Sequence, residues 1–402
     1  MKIKKICILC AYSFPEGMAP TTRILAYSKG LQENGLEVEV VSFERVVDDE
    51  KKRIDGVAKG VPYHIPYCYN PNIFNNKLYR VLWANWKQRF ACINELREIN
   101  RKTPIGYVLL SFDEPLTMFF FASFLRLYGI RSTFIGDEFP EPIRQLKEKV
   151  PGWMIKAFKL AYKFIDLRVL MTRALQEYYD NNVCPKPTYI LNSVIDTGRF
   201  ESIEKRDDVE PYLCYMGNMM LAKDNIDNII RAFAKIAQDF SGLKLFLFGT
   251  PNNADKQTIL NLIGKYNLEN RVILKGKASY DEVPNILGNA KVLVTSQPLT
   301  KRAQGGFPTK MCEYMMTGVP TILTDVGEIH QYVENGVNVY MVEACNPNKY
   351  AEKLRYILLH YDEALQVAQN AKELVLNTYS SKQATKGLVD FFNEYYYGHK
   401  EY

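Results

Sequence analysis

The sequence has 402 residues, a length that favours two domains. Hydrophobic residues make up 47% and charged residues 24%, which is typical of globular proteins and excludes a low-complexity chain. The net charge of +6 is uneven, because residues 1–200 hold 29 basic and 21 acidic side chains whereas the remainder holds 22 and 24. This basic excess suits an anionic membrane surface. No recognition motif for nucleic acid accompanies it.

The apolar runs, cysteines and histidines do not indicate an exported or metal-binding protein. The run at 6–11 is too short for the core of a signal peptide, and the run at 116–125 is too short to span a membrane. Cys7 and Cys10 lie three apart on a predicted strand and so point to opposite faces, which favours buried thiols over a chelating pair. The four histidines have no metal-ligand spacing. We therefore expect a cytoplasmic protein without a metal ion or other cofactor.

The N-terminal half begins with a predicted β-α-β unit. An apolar strand at 3–10 is followed by the loop 12–20 and by a helix that ends before Gly35, and a new strand starts at Val38. The loop lies at the carboxyl end of the first strand, where open α/β sheets bind ligands. The glycine spacing of a dinucleotide-binding fingerprint is absent. Further along, the charged residues 48–60 are expected to form a surface loop.

Two acidic pairs follow neighbouring predicted strands. Asp113 and Glu114 come after the strand at 107–111, and Asp137 and Glu138 come after a strand that ends at Ile135. Both pairs are therefore expected at the same edge of the sheet. Capping of the helices that follow is an alternative role for each pair.

Residues 152–165 combine apolar side chains with regularly spaced lysines. Trp153 begins the segment, and Lys156, Lys159 and Lys163 are interleaved with apolar positions. The pattern is typical of a helix that lies in a membrane interface. A helix with one buried face and solvated lysines would have the same pattern.

The second half of the chain is a further run of alternating strands and helices. The charged stretch 201–211 ends in proline and is expected to link two domains. Strands are expected at 212–216, 244–248, 271–275, 291–295, 321–324 and 338–342, and the helix at 225–237 has a clear apolar stripe. We predict two doubly wound parallel-sheet domains of the Rossmann type, at 1–205 and 211–380. A C-terminal helix at 381–402 is expected to cross back onto the first domain.

A glycine-rich loop precedes a short helix in the second domain. The loop contains Gly305 and Gly306, and Pro308 and Thr309 suit the start of the helix. Free backbone N–H groups at such a helix start favour anions, phosphate above all. Glu313 lies one turn inside the helix, where its carboxylate could accept hydrogen bonds from two sugar hydroxyls. Alternatively, Glu313 only complements the positive end of the helix dipole.

Five segments follow one another in a characteristic order: 192–196 with Phe200, 215–218 with Lys223, 247–249, 270–276, and 305–313 with Gly318 and Pro320. Together they resemble the retaining glycosyltransferases of family 4, which have two Rossmann-like domains facing a cleft, the GT-B fold. The resemblance covers nearly the whole chain and is strongest from about 167 to 365.

The resemblance implies roles for individual residues. Glu313 would hold the ribose hydroxyls of a nucleotide-sugar donor, and Lys223 would neutralise its diphosphate. The donor phosphates would lie against the backbone of the glycine loop: Gly305, Gly306, Phe307, Pro308 and Thr309. Other donor-binding residues would lie at strand ends of the second domain: Gly217, Asn218, Gly249, Lys277 and Ala278. The first domain would supply a loop that closes over the donor: Glu16, Gly17, Met18 and Ala19. The family's acceptor-side histidine is not evident, and Asp137 and Glu138 occupy that strand end.

Two positions depart from the family pattern. Asn218 stands where the family has an arginine that contacts the diphosphate, and Gly305 stands where it has a glutamate that contacts the donor sugar. The neighbouring Gln304 could replace that glutamate by hydrogen bonding. No second carboxylate is placed as a covalent nucleophile, unlike the paired acids of retaining glycosidases.

The resemblance implies a metal-independent hexosyl transfer, with retention, from a nucleotide sugar to a glycan or lipid-linked acceptor in cell-surface polysaccharide synthesis. The protein would be cytoplasmic, with an anionic membrane surface as a further expected partner. Two alternatives remain open at this point. One is a GT-B epimerase or phosphorylase, and the other is a non-catalytic nucleotide-sugar binder, which the departures at Asn218 and Gly305 would suit.

Overall fold

The structure is a computed structural model and describes residues 2–17, 19–47, 52–69, 77–206, 208 and 210–397. The chain divides into two compact units, one of Met1–Asp196 with Ser380–Tyr402 and the other of Thr197–Tyr379. It passes from the first unit to the second between Asp196 and Thr197, upstream of the stretch 201–211 that the sequence analysis assigned to the linker.

The described part of the first unit is an α/β sandwich with one eight-stranded sheet and a separate two-stranded sheet. Its strands are β1 (Lys5–Cys10), β2 (Glu37–Ser42), β3 (Val46–Val47), β4 (Ile54–Ala58), β5 (Val61–Ile65), β6 (Cys68–Tyr69), β7 (Ile105–Ser111), β8 (Ser132–Gly136), β9 (Leu167–Leu170) and β10 (Thr188–Ile190). Its helices before residue 196 are α1 (Ala19–Glu33), α2 (Lys77–Lys102), α3 (Pro115–Leu127), α4 (Glu141–Arg144), α5 (Gly152–Tyr162) and α6 (Arg173–Asn182).

The order of the strands explains their composition. The sheet runs β10-β9-β8-β7-β1-β2-β5-β4, and all its pairs are parallel except β4 with β5, while β3 and β6 form a separate pair. Helices cover both faces of a parallel sheet, so its central strands are apolar throughout. Every residue of β1 and of β7 is accordingly buried. The strand order reverses between β1 and β7, because β2 is added on one side of β1 and β7 on the other, and this is the switch point of the sheet.

The second unit has one six-stranded sheet. Its strands are β11 (Tyr212–Met216), β12 (Lys244–Phe248), β13 (Val272–Gly276), β14 (Val292–Val294), β15 (Thr321–Asp325) and β16 (Tyr340–Glu343). Its helices are α7 (Leu221–Asp224), α8 (Ile226–Ile236), α9 (Asn253–Lys265), α10 (Val283–Gly288), α11 (Lys301–Gly305), α12 (Lys310–Met316), α13 (Pro347–Leu359) and α14 (Tyr361–Leu374), with 3₁₀ turns at Thr197–Phe200 and Ile329–Gln331 and a π-helical turn at Val375–Tyr379.

All strand pairs of the second sheet are parallel, in the order β13-β12-β11-β14-β15-β16. The switch point lies between β11 and β14. The predicted apolar stripe of α8 is buried against this sheet, at Ile226, Ile229, Ile230, Phe233 and Ile236. The predicted fold class, a doubly wound parallel sheet in each of two units, is therefore confirmed.

The last helix, α15 (Ser381–Tyr397), packs on α1 of the first unit. The backbone approach is close, because a Cβ atom added to Gly30 would lie 2.1 Å from the carbonyl oxygen of Ser381. The amide of Asn34 donates to the carbonyl of Lys382 (2.8 Å) and to the hydroxyl of Thr385 (3.1 Å). Helix α15 thus covers one face of the first sheet.

The expectation of a surface loop at 48–60 is wrong in part. Residues 48–51 lie outside the described part of the chain, but β4 occupies Ile54–Ala58 and pairs antiparallel with β5 at the edge of the sheet. An edge strand has only one neighbour and one face against the core, so its apolar content is low. The charged composition of residues 48–60 therefore did not indicate the strand β4.

Candidate functional site

Three glycines lie side by side at the carboxyl ends of β11, β12 and β13. The N–H of Gly217 donates to the carbonyl of Phe248 (3.0 Å), and the N–H of Gly249 donates to the carbonyl of Gly276 (2.7 Å). Gly249 has a φ of +134°, and a Cβ atom there would lie 1.7 Å from the carbonyl oxygen of Gly217. Only glycine fits that position. The structure therefore brings Gly217 and Gly249 together at one edge of the sheet.

Residues around the end of β14 complete the switch point. The side-chain amides of Asn225 and Asn228 both donate to the hydroxyl of Ser296, at 3.2 and 3.3 Å. Asn225 adopts a left-handed conformation with a φ of +47° and makes no capping hydrogen bond to α8. Neither Asp224 nor Asn225 caps α8, because both side chains have other partners.

Lys310, the first residue of α12, has a buried partner. Its Nζ lies 2.8 Å from Oδ1 of Asp224 and 3.0 Å from the hydroxyl of Tyr215. Burial alone would raise the pKa of Asp224, but the charge and the hydrogen bond of Lys310 hold that pKa below its ordinary value. A Cβ atom on Gly217 would lie 2.5 Å from Lys310 Nζ, so the glycine leaves room for the ammonium. No pattern in the sequence indicated a role for this lysine.

Lys223 lies in the short helix α7, next to Asp224. It is partly exposed, and its positive charge also lowers the pKa of Asp224. Two lysines therefore flank one buried carboxylate at the end of β11, and this group of three side chains carries one net positive charge. Such a surplus at a strand end suits an anionic ligand.

Glu313 is held by an arginine that the sequence analysis did not identify. Nη1 of Arg199 donates to Oε1 of Glu313 at 2.7 Å. The same guanidinium donates to the carbonyl of Tyr280 at 3.0 Å, and its central carbon lies 3.6 Å from the centroid of the Tyr280 ring. The hydroxyl of Tyr314 accepts from the N–H of Met216 (2.8 Å), which fixes α12 at the end of β11.

The predicted glycine loop is shorter in the structure than in the sequence analysis. Gly305 is buried and is the last residue of α11, a helix capped by the side chain of Thr300, so its placement in a loop is wrong. Gly306 is extended, and the ring of Phe307 packs in the interior near Tyr332, with ring centroids 5.5 Å apart. The loop is therefore 306–309, and the side chain of Phe307 is buried.

The remaining predicted donor-side residues lie around the same strand ends. Asn218 follows Gly217 and is exposed, as is Lys277, while Ala278 is half-buried; both of these follow β13. Thr309 precedes α12 and makes no side-chain capping bond. Their roles as donor-binding residues stay predictions.

The first unit gathers charged side chains at its own switch point. Nη2 of Arg144 lies 2.6 Å from Oδ2 of Asp113, and Nη1 of Arg144 lies 3.8 Å from Oε2 of Glu138. One arginine therefore contacts both predicted acidic clusters, which lie at the same edge of the sheet. Arg23 lies 3.3 Å from Asp137. Burial raises the pKa of Asp113, although Arg144 opposes that shift. Glu114 instead caps α3, because its carboxylate accepts from the N–H groups of the first turn.

The loop before α1 is only partly described. Glu16, Gly17 and Ala19 are exposed, and Met18 lies outside the described residues. Gly17 is closely packed, because a Cβ atom there would lie 2.1 Å from the hydroxyl of Thr21.

Two further findings concern the described part of the chain. There, no group of three or more His, Cys, Asp and Glu side chains is arranged to hold a metal ion. None of the helices described has both the length and the hydrophobicity that a bilayer span requires.

Comparisons with known proteins agree with this geometry. Residues 197–374 match the family model of glycosyl transferases group 1. The chain is 26% identical over 242 residues to an N-acetyl-alpha-D-glucosaminyl L-malate synthase of Bacillus anthracis. That match covers 60% of this chain and 54% of the relative, so the chain spans about half the length of the curated relative.

Solved structures resemble nearly the whole chain. A sucrose-phosphate synthase from Thermosynechococcus elongatus has a TM-score of 0.74 at 13% identity, covering 97% of this chain and 98% of that protein. Anabaena HepE, solved in complex with UDP and glucose, has a TM-score of 0.70 at 14% identity, covering 96% and 98%. These similarities establish the fold, which is GT-B. The match to the group 1 glycosyl transferases lies within the second unit of the chain.

Proposed function

We propose that this protein transfers a hexosyl group from a nucleotide-diphosphate sugar to a glycan or lipid-linked acceptor, with retention and without a metal ion, in the synthesis of a cell-surface polysaccharide. One observation carries the proposal. The end of β11 combines a glycine edge, two lysines and the carboxylate of Glu313 at the switch point of the second sheet. Glycines let a ligand approach the backbone, and the net positive charge suits a diphosphate.

The chemistry requires stabilisation of the departing diphosphate. Lys310, which is paired with Asp224, and Lys223, whose charge also acts on Asp224, supply positive charge. The N–H groups of the loop 306–309 add fixed dipoles. Oε2 of Glu313 would accept from the ribose hydroxyls. A donor phosphate oxygen would take the acceptor proton in a same-face displacement.

The comparisons suggest which substrates to try first. The structure of Anabaena HepE contains UDP and glucose, which makes UDP-glucose a first donor. The Bacillus anthracis relative is named for an N-acetylglucosaminyl group and malate, so UDP-N-acetylglucosamine and malate join the panel. Lipid-linked and free glycans complete the acceptors.

The test combines binding and turnover. Thermal shift against nucleoside diphosphates and nucleotide sugars identifies the donor, and nucleotide release is then measured with and without each acceptor. We expect release that depends on an acceptor and forms a new glycoside of retained configuration. Release without an acceptor, or only with inorganic phosphate, would indicate the epimerase or phosphorylase instead. Binding without release would indicate a non-catalytic binder. Added chelator should leave the rate unchanged.

We further propose that the first unit docks on an anionic membrane. Helix α3 packs against α2 and α5, and these three helices share a set of exposed apolar side chains. The set consists of Trp83, Trp86, Phe90, Leu116, Leu127, Trp153 and Leu160. Lys156 and Lys159 on α5, and Lys163 directly after it, are also exposed. Aromatic side chains mixed with lysines suit the interface of an anionic bilayer, where each lysine contributes about 1 kcal/mol.

Sedimentation with vesicles tests this docking. We expect binding to anionic vesicles that weakens as salt rises, and little binding to neutral vesicles. The triple variant K156Q/K159Q/K163Q should no longer bind anionic vesicles. A matched control, K235Q/K256Q/K265Q, removes the same charge from exposed positions of the second unit and should bind like the wild type. Equal recovery with neutral and anionic vesicles at low salt would reject the proposal.

A further inference from the structure

Arg199 is a buried cation next to a partly exposed carboxylate. It lies in the 3₁₀ turn Thr197–Phe200, at the start of the second unit, and only 7% of its side chain is exposed. Glu313, its ion-pair partner, is 25% exposed. The two residues are 114 positions apart in the chain, so the fold of the second unit brings them together.

The guanidinium is fixed from three directions. Nη1 donates to Glu313 at 2.7 Å, Nη2 donates to the carbonyl of Tyr280 at 3.0 Å, and the ring of Tyr280 lies under the guanidinium at 3.6 Å. Arginine combines a planar fork of donors with an ability to stack on aromatic rings, so each contact restrains the others. The arginine is therefore in place before any ligand arrives.

Only one oxygen of Glu313 is engaged by this arrangement. Oε1 accepts from Arg199, whereas Oε2 accepts no hydrogen bond from the residues that the structure describes. A carboxylate has lone pairs on both oxygens and can accept on the second while the first stays paired. Arg199 thus restrains the Glu313 side chain through Oε1, and Oε2 can accept a hydrogen bond from a ligand.

We propose that Arg199 is a positioning residue that orients Glu313 toward the two vicinal hydroxyls of a ribose, and that this pair lets the site discriminate ribose from 2′,3′-dideoxyribose. The inference rests on the proposed function. Without Arg199, the Glu313 side chain would have to be ordered by the ligand, which costs rotamer entropy on binding. With Arg199, that order exists beforehand.

A rival role for Arg199 predicts the opposite sign. If Arg199 were a latch that must leave Glu313 before a ligand binds, its removal would strengthen nucleotide binding. The contacts of Arg199 argue against a latch, because the Tyr280 carbonyl and ring hold it whether or not Oε2 is occupied.

The experiment compares two ligands on three proteins. Dissociation constants are measured for UDP, or whichever nucleoside diphosphate the wild type binds best, and for its 2′,3′-dideoxy counterpart. The wild type should prefer the ribose form by about 10-fold to 100-fold, as expected for hydrogen bonds to a charged group. In R199M this preference should fall to within about 3-fold. R199K should recover part of it, because it keeps the charge but not the fork.

Each outcome decides between the possibilities. A ribose preference that persists in R199M, or tighter UDP binding in R199M, overturns this inference while leaving the proposed function intact. If the wild type binds no nucleoside diphosphate, the proposed function fails and the inference fails with it. Should R199M not fold, Y280L offers a second route. It removes the ring under the guanidinium but neither member of the ion pair, and it should lower the ribose preference without abolishing it.

Discussion

The two units have the same kind of sheet but opposite charges at their switch points. In the first unit, Asp113, Asp137 and Glu138 outnumber Arg23 and Arg144. In the second, two lysines outnumber Asp224, beside a row of glycines. One architecture therefore supports two kinds of site, and the residues just after the strands decide which ligand each can take. The glycine edge with positive charge suits a diphosphate, whereas the carboxylates suit hydroxyl groups.

The largest expected effect tests the positive site. Lys223→Ala should lower turnover by about 10²–10³-fold, or roughly 3–4 kcal/mol, because its charge matters most when the leaving group gains negative charge. Single-turnover nucleotide release measures this, and nucleotide affinity should change much less. Lys256→Ala, on α9, is a control with the same loss of charge. Turnover of K223A within a few-fold of wild type would show that Lys223 is not the leaving-group cation.

The second prediction separates structure from catalysis at the same site. Lys310→Met should destabilise the second unit by about 3 kcal/mol, because Asp224 is left buried without its ion-pair partner. The double variant K310M/D224N should recover much of that stability. Urea unfolding followed by circular dichroism measures the loss. Equal stability of K310M and wild type would mean that the ion pair is dispensable.

The third prediction concerns a charged cluster of the first unit at the β4–β5 edge. His64 contacts Asp55 of β4 (2.7 Å), Glu39 of β2 (3.1 Å) and Glu95 of α2 (3.7 Å). The pKa of His64 is raised, and the hydrogen bond to Glu39 is the largest cause. Burial acts in the opposite direction and lowers this pKa. In return, His64 is the main cause that lowers the pKa of Glu39 to about 2.

A raised histidine pKa stabilises the fold below the unfolded value and loses that effect as pH rises through the folded value. His64→Gln should therefore cost about 2 kcal/mol at pH 5.5 and clearly less at pH 9. Urea unfolding followed by tryptophan fluorescence measures both. An equal cost at the two pH values would assign the effect to shape and not to charge.

The smallest expected effect tests whether every acid near the first switch point serves the site. Glu114 caps α3, so Glu114→Ala should cost about 1 kcal/mol of stability while leaving turnover unchanged. Urea unfolding and nucleotide release provide the two readouts. A large loss of turnover with unchanged stability would place Glu114 among the functional carboxylates.

Strands with strong apolar patterns were predictable from the sequence. The expected bounds of β11 and β12 coincide with those observed, because both strands are apolar runs between polar turns. Gly305 was misplaced because paired glycines are typical of loops, whereas here the Thr300 cap starts a helix that the first glycine ends. The glycine row was partly predictable, since glycines after strands are visible in the sequence.

The ion pairs of the site were not predictable in this way. Arg199 was visible in the segment before the second domain, but nothing in the sequence states which of 45 acidic residues it would meet. Lys310 likewise lies in the most characteristic stretch of the chain, and its partner Asp224 is 86 positions away. A sequence gives the types of residue and their local spacing, whereas long-range pairing depends on how helices dock on the sheet.

The path of the chain through the first unit affects the order in which the protein folds during synthesis. Thr197–Tyr379 is one continuous stretch, so the second unit can close its sheet as soon as that stretch leaves the ribosome. The first unit is translated earlier but must wait for α15, which covers α1 and joins Ser381 to the carbonyl of Ile195 (2.8 Å). The unit that is made first is thus finished last. If translation stops anywhere within the second unit, the first unit lacks α15 and the surface of α1 that α15 covers stays exposed. Exposed apolar surface of this kind is what chaperones bind.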